Sequence, residues 1–231
     1  MFRRWLSSFL PNRAAQKFRA LSHAQVFETI YKEKYWSRGG ETDSVSGPGS
    51  SRGLTRSLQK ELPLLFEKYK IGSLLDLPCG DLHWISEVPL GDVKYTGADI
   101  VAELIAANQE KYPRKNFLQL DLRTHELPAA DLLLCRDCLV HFSFADARLA
   151  FENISRSRCE WLLLTTFPGQ TANDDIVTGL WRPLNLQAAP FGLPEPESLI
   201  EEDVKDPSGK VPQKFLGLWK REAIAQRFNS L

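Results

Sequence analysis

The sequence predicts an α/β protein built on a doubly wound, mostly parallel sheet, and three observations carry that expectation. Short apolar runs recur from residue 73 onward, separated by helix-length segments or short connectors. Acids stand at the ends of three successive runs, at Asp76, Asp99 and Asp121. The first acid is followed by a turn containing Gly80 and then by a new amphipathic segment. Such a strand, turn and helix start mark the place where an open sheet binds a polar ligand, because backbone N–H groups and a helix N-terminus meet there.

The elements follow in chain order. Residues 14–36 space Phe18, Leu21, Val26, Phe27, Ile30 and Tyr31 as one or two amphipathic helices, a candidate lid. Residues 37–53 are rich in Gly and Ser and read either as a disordered linker or as a binding loop. The loop is favoured, because Tyr35-Trp36 precedes it and Ser46-Gly47-Pro48-Gly49-Ser50 offers close backbone approach and hydroxyl donors just ahead of a helix over 55–70. Residues 1–70 thus form a helical cap with a Gly/Ser loop, and 71–231 the α/β domain. Strands over 73–77, 94–98, 116–120, 131–135 and 161–166 alternate with helices over 82–88, 101–111 and 145–156. Beyond Phe167, proline recurs too often for long helices, and a last strand over 214–220 precedes a short terminal helix.

Bulk properties narrow the function. A chain of 231 residues suits one α/β domain with an attached segment. With 29 basic and 29 acidic residues the net charge is zero, which gives no general pull toward nucleic acid or an anionic membrane, so a small partner is expected. The four cysteines, at 79, 135, 138 and 159, include one CxxC pair without a second, a poor arrangement for zinc or disulfides. Free buried thiols in a reducing cytoplasm are expected instead. The basic N-terminal start, Met1 to Pro11, has too short an apolar region for a secretory signal, and no stretch could span a bilayer, so stable membrane insertion is not expected.

The acids carry the chemistry. Strand ends on one edge of a parallel sheet converge, so Asp76, Asp99 and Asp121 form a row along one crevice, where a polycationic or polyhydroxyl ligand is expected to meet them. Asp99 lies at the spacing after the glycine turn from which an acid binds ribose hydroxyls. A dinucleotide would also use that acid, but Pro78 and Leu82 stand where glycines would admit a pyrophosphate, which leaves a nucleoside without phosphates as the better fit.

These residues, in this order, resemble the class I S-adenosylmethionine-dependent methyltransferases. The resemblance rests on Leu74-Leu75-Asp76-Leu77-Pro78-Cys79-Gly80-Asp81, on Tyr95-Thr96-Gly97-Ala98-Asp99-Ile100, on Phe117-Leu118-Gln119-Leu120-Asp121-Leu122 and on Asp131-Leu132-Leu133-Leu134-Cys135-Arg136-Asp137. It covers residues 71–166, and the strand over 216–220 resembles the antiparallel last strand of that Rossmann-like fold. It implies that the Asp76 to Gly80 loop passes under the methionine part, that Asp99 holds the ribose, and that Asp121 with the Leu122 backbone reads the adenine. The missing glycines at Pro78 and Leu82 are a departure from the family's loop. Tyr31, Trp36 and Ser46-Gly47-Pro48-Gly49-Ser50, taken with residues 76–84, also resemble a narrower bacterial group associated with sugar or glycan O-methylation, which implies that the loop covers cofactor and substrate. The cofactor-binding candidates are Trp36, Ser46, Gly47, Ser50, Asp76, Pro78, Gly80, Asp81, Trp84, Asp99, Ile100, Asp121, Leu122 and Arg136.

Methyl transfer is an in-line displacement in which a hydroxyl acceptor must also lose a proton. Arg136-Asp137-Cys138-Leu139-Val140-His141 follows the fourth strand, so His141 is the candidate general base, and Asp137 a residue that orients it, positions the acceptor or holds a divalent ion that the motif does not require. His141 also reads as a structural histidine, and His83 as a helix residue packed beside Trp84. Trp181, Arg182, Asn185 and Phe191 are candidates for the acceptor side or for ordinary loop packing. The expected function is O-methylation of a small-molecule or glycan hydroxyl. The alternatives are an inactive nucleoside-binding scaffold or an NAD-dependent oxidoreductase.

Overall fold

Short segments of four to six residues, apolar runs at the centre of the sheet, form the strands, and amphipathic helices cover both faces of the sheet they build. The computed structural model describes residues 11–37, 44–203, 209 and 212–228. The expectations for residues 1–10 and for the 38–43 part of the Gly/Ser loop lie outside the described residues.

The cap is two helices, α1 (Pro11–Arg19) and α2 (His23–Lys32), followed by a 3₁₀ turn at Tyr35–Ser37. A capping box fixes where α2 begins: the Gln25 N–H donates to Ser22 Oγ at 3.3 Å and the Ser22 N–H to Gln25 Oε1 at 2.9 Å. Helix α3 (Arg56–Tyr69) stops where Lys70 turns left-handed at φ 54° and the Ile71 N–H reaches back to the Phe66 carbonyl at 2.9 Å. Then come β1 (Ser73–Asp76), β2 (Lys94–Asp99), α4 (Ala102–Lys111), β3 (Asn116–Gln119), β4 (Leu132–Cys135), α5 (Phe144–Ser155), β5 (Trp161–Thr166), β6 (Ser198–Glu201), β7 (Phe215–Lys220) and α6 (Arg221–Phe228).

The strands lie in the order β3-β2-β1-β4-β5-β7-β6. The first five in space are parallel, and β7 runs antiparallel to both β5 and β6. Side chains alternate across the sheet. Leu75, Leu133, Leu162 and Leu164 face one core with α5 and α6, and Leu74, Leu132, Leu134 and Leu163 face the other with α3. Burying each such leucine contributes about 1.5–3 kcal/mol. Phe18, Val26, Phe27 and Ile30 of the cap belong to the first core, so the cap shares its packing with the sheet.

Two details differ from the sequence expectation. The helix over 82–88 is replaced by one 3₁₀ turn, Ile85–Glu87. Leu82 adopts φ 57°, which breaks the helical path at its start, and Pro89 follows within two residues of the turn. Trp84 and Ile85 still reach the core. Strand β6, absent from the sequence expectation, is a four-residue edge strand following the proline-rich stretch, with one buried residue and no apolar run to mark it.

Candidate functional site

The polar groups that converge in the structure lie at the C-terminal ends of β1, β2 and β4. The loop after β1 is pinned to both neighbouring strands: the Leu77 N–H donates to the Leu134 carbonyl at 2.9 Å, and the Cys79 N–H to the Ala98 carbonyl at 2.8 Å. Gly80 then sits at φ 55°, with its N–H donated to Asp99 Oδ2 at 3.1 Å and its carbonyl accepting from Asn108 Nδ2 at 2.7 Å. Pro78, half-buried, leads into this turn.

The cover loop closes from the other side. Asp81 accepts from Ser44 Oγ at 2.9 Å, from the Val45 N–H at 2.9 Å and from Ser46 Oγ at 3.2 Å. Ser46 Oγ also lies 3.1 Å from Tyr31 Oη and accepts from the Asp81 N–H at 3.3 Å. A Cβ on Gly80 would stand 2.4 Å from Ser46 Oγ, so this contact requires glycine. Gly47, at φ 94°, packs on Trp36, and Ser50 ends the 3₁₀ turn Pro48–Ser50. The described part of the Gly/Ser loop is therefore an ordered cover bonded to the β1 loop.

The three acids do not form an unpaired row, because each has its own partner within the chain. Asp76 is buried and accepts from Tyr95 Oη at 2.7 Å; burial pushes its carboxyl up to about 7, with Tyr95 opposing. Asp99 is equally buried and accepts from the Gly80 and Val101 N–H groups; burial raises it to about 6 although these bonds oppose the shift. Asp121 is gripped by Arg123, whose Nε and Nη2 donate at 3.1 and 2.8 Å; burial raises its carboxyl, but those bonds more than reverse the effect and it lies below the usual range. Arg123 Nη1 also reaches Asp146 Oδ1 at 2.5 Å. The buried Leu122 gives its carbonyl to Asn153 Nδ2 at 2.9 Å, and the Ile100 carbonyl accepts from Gln119 Nε2 at 3.1 Å.

After β4 the chain places four charged side chains together. Arg136 lies over the Trp84 ring at 5.0 Å and donates to Glu202 Oε2 at 2.6 Å and to the Gly49 carbonyl at 2.7 Å. Lys214 Nζ bridges Asp137 Oδ2 at 2.5 Å and Glu202 Oε2 at 3.2 Å. Burial would raise the Asp137 carboxyl, but Lys214 and Arg136 hold it far below the carboxylate range. Sequence reasoning missed Tyr95, Arg123, Glu202 and Lys214; the last two come from the far end of the chain, where no motif marks them.

His141 lies in a 3₁₀ turn, Leu139–His141, clamped by residues 179–182: the Gly179 N–H donates to the His141 carbonyl at 2.8 Å and the Arg182 N–H to that of Val140 at 3.1 Å. Its Nδ1 faces the Leu180 carbonyl at 2.9 Å. A carbonyl only accepts, so Nδ1 carries the proton and Nε2 the lone pair. The ring packs on Trp36 with centroids 4.7 Å apart, and burial pushes its pKa down to about 4. Of the acceptor-side candidates, Arg182, Asn185 and Phe191 are buried in the loop packing, and Trp181 is half-buried. No group of three or more His, Cys, Asp or Glu among the described residues is arranged to hold a metal ion.

No family model and no curated protein matches the chain. Solved structures do. The N-methyltransferase NodS of Bradyrhizobium japonicum, in complex with S-adenosylhomocysteine, superposes with TM-score 0.60 at 11% identity over 84% of this chain and 97% of its own. The 1,6-didemethyltoxoflavin-N1-methyltransferase of Burkholderia thailandensis gives 0.58 at 14% identity over 86% and 88%. Magnesium protoporphyrin IX methyltransferase from Synechocystis, with bound S-adenosylmethionine, gives 0.56 at 11% identity over 86% and 97%. With seven strands in the order 3-2-1-4-5-7-6 and these structural relatives, the chain has the Rossmann-like fold of the S-adenosylmethionine-dependent methyltransferases.

Proposed function

We propose that the chain is an S-adenosylmethionine-dependent methyltransferase that methylates a hydroxyl oxygen of a small molecule or glycan in the cytoplasm. The observation that carries this reading is the double hold on the Gly80-Asp81 turn, with Asp99 accepting from the Gly80 N–H and Ser46 of the cover loop bonded to Asp81, at the carboxyl ends of parallel strands. The four cysteines, all buried free thiols, agree with a reducing compartment, and no helix among the described residues is long and apolar enough to cross a membrane.

The donor chemistry fits. An adenosyl methionine offers ribose hydroxyls, an ammonium and an adenine amine, all donors, and Asp76, Asp99 and Asp121 supply carboxylate oxygens that retain lone pairs beyond their internal bonds. Asp99 would take the ribose, Asp121 with the Leu122 backbone the adenine, and the β1 loop with Pro78, Gly80 and Asp81 the methionine part. Trp36, Ser46, Gly47 and Ser50 would form its cover, with Ile100, Trp84 and Arg136 around it. When bound, the cofactor supplies an electrophilic methyl group on a sulfonium.

The remaining chemistry falls to this chain. Holding the acceptor oxygen in line contributes about 7–11 kcal/mol when the orientation is good. Nε2 of His141 is unprotonated at neutral pH and accepts the hydroxyl proton as the oxygen–carbon bond forms. Trp36 keeps the imidazole plane fixed while this happens. Asp137, ion-paired and far too acidic to act as a base, accepts a hydrogen bond from the acceptor and orients it.

Calorimetric titration with S-adenosylmethionine, S-adenosylhomocysteine and NAD tests the reading. The two sulfur nucleosides should bind, and NAD alone binding overturns it. His141→Ala should abolish turnover with cofactor binding intact; undiminished transfer removes His141 from the mechanism.

A further inference from the structure

Asp137 is held in an unusual way for a residue after a strand. Its backbone is left-handed, φ 51°, a conformation costing an L-residue about 1–2 kcal/mol. Such a conformation persists only where the surroundings determine it, and here they do. The Asp137 N–H donates to Thr165 Oγ1 of β5 at 2.8 Å, and the carboxylate meets Lys214 Nζ at 2.5 Å and Arg136 Nη1 at 3.4 Å. Lys214 is itself fixed by Glu202 at 3.2 Å, and Glu202 grips Arg136 through Nε and Nη2.

The four side chains are not equivalent. Glu202 is 0% exposed, Arg136 3% and Lys214 6%, but Asp137 keeps 24% of its side chain open. Two cations and two anions balance, and the only one with an open face stands at the end of β4. The cover loop closes over that same carboxylate: a Cβ on Gly49 would lie 3.2 Å from Asp137 Oδ2, and the Gly49 carbonyl accepts from Arg136. Burying three charges is costly, and apolar side chains of similar volume would join the β6–β7 hairpin to β4 at least as well. The arrangement is better explained by what it does to Asp137.

We propose that Glu202 and Lys214 are positioning residues, which hold the Asp137 carboxylate in one orientation as the hydrogen-bond acceptor for a donor group of the acceptor molecule beside the hydroxyl whose proton goes to His141. This rests on the methyl-transfer reading above. The β6–β7 hairpin, remote in sequence from every motif of the site, thereby becomes part of the reaction geometry. Arg136 joins the same network to the cover loop through Gly49, so closure of the cover and orientation of Asp137 are coupled.

The test is Lys214→Met, which keeps the length and removes the charge, with Lys214→Arg as the conservative control. Glu202→Gln serves as a second variant that retains shape. Turnover, KM for S-adenosylmethionine, melting temperature and the pH–rate profile are measured for each. A misplaced Asp137 should lower kcat by about 10²-fold, with KM for the cofactor little changed. The pH profile should also gain an acid limb at higher pH than the wild type, because Asp137 without Lys214 protonates sooner, and Lys214→Arg should restore both. Glu202→Gln should lower kcat in the same direction, since Lys214 loses its anchor. A fall in melting temperature alone, with kcat and the acid limb unmoved, shows a structural clasp and overturns the proposal. Wild-type protein that binds no S-adenosylmethionine overturns the methyl-transfer reading itself, a different outcome from turnover that ignores Lys214.

Discussion

Gly80→Ala is the perturbation that most directly probes the closure of the cover on the β1 loop. Two costs follow from the geometry. The residue sits at φ 55°, so alanine carries a left-handed penalty of about 1–2 kcal/mol. Its Cβ would also stand 2.4 Å from Ser46 Oγ and 3.3 Å from Ser46 Cβ, too close for the serine to stay. Ser46 Oγ would have to leave its contacts with Tyr31 Oη, the Asp81 carboxylate and the Asp81 N–H. At about 0.5–1.5 kcal/mol per net hydrogen bond, the displacement adds about 1.5–4.5 kcal/mol. The total is about 2.5–6.5 kcal/mol, divided between stability and affinity for the cofactor if the cover must be seated for binding. A double-mutant cycle with Ser46→Gly separates the two costs, because without Oγ the alanine meets only the backbone penalty. Chemical denaturation and calorimetric titration of the four proteins measure it. Gly80→Ala costing the same in both backgrounds, or less than about 0.5 kcal/mol in the protein that keeps Ser46, would refute the contact as the reason for glycine.

Other consequences concern the buried carboxylates. Asp76 near 7 and Asp99 near 6 are largely or half protonated at pH 6, and a cationic cofactor favours their ionised forms, so binding should release protons. Affinity for S-adenosylmethionine should accordingly rise from pH 5.5 to 7, read by calorimetry in buffers of different ionisation enthalpy; a flat profile contradicts contact with these acids. For folding the sign is opposite: a carboxyl raised above its unfolded value binds its proton more tightly in the native state, so the contribution of Asp76 and Asp99 is present at low pH and lost as pH rises toward 7. Tyr95→Phe removes the bond that supports the Asp76 anion and should destabilise by about 1.5–3 kcal/mol at pH 8, and by less at pH 5, in urea denaturation.

What the sequence made legible follows from the range of the signals. Strands β1, β4 and β5 announce themselves because a buried parallel strand must be a nearly unbroken apolar run, as in Leu132–Cys135 and Trp161–Thr166. The capping box at Ser22 and Gln25 is local in the same way. The helix expected over 82–88 failed because its spacing of Leu82, Ile85 and Val88 suits either a helix or an irregular segment that buries the same side chains, and the left-handed Leu82 decides between them. Strand β6 offered only Ser-Leu-Ile-Glu at an edge, where one face stays open and the apolar run disappears.

The site divides along the same line. Each strand-end acid could be placed from its own strand, but whether it stands unpaired depends on residues the alternation does not couple to it: Tyr95 on the neighbouring strand, and Arg123 two residues beyond Asp121. Asp137 is the sharpest case. Read from its own motif, it is a carboxylate free to orient His141, position the acceptor or hold a divalent ion. Lys214, 77 residues later, pairs with one of its oxygens and holds the group ionised and weakly basic. His141 is constrained in parallel, since the Leu180 carbonyl fixes its tautomer and burial keeps it neutral. The two residues named together from one short stretch are thus held in complementary resting states, an ionised carboxylate and a neutral imidazole. That division of labour is set by the chain after β5, which carries no recognisable motif and supplies the charges and carbonyls that decide what the motif can do.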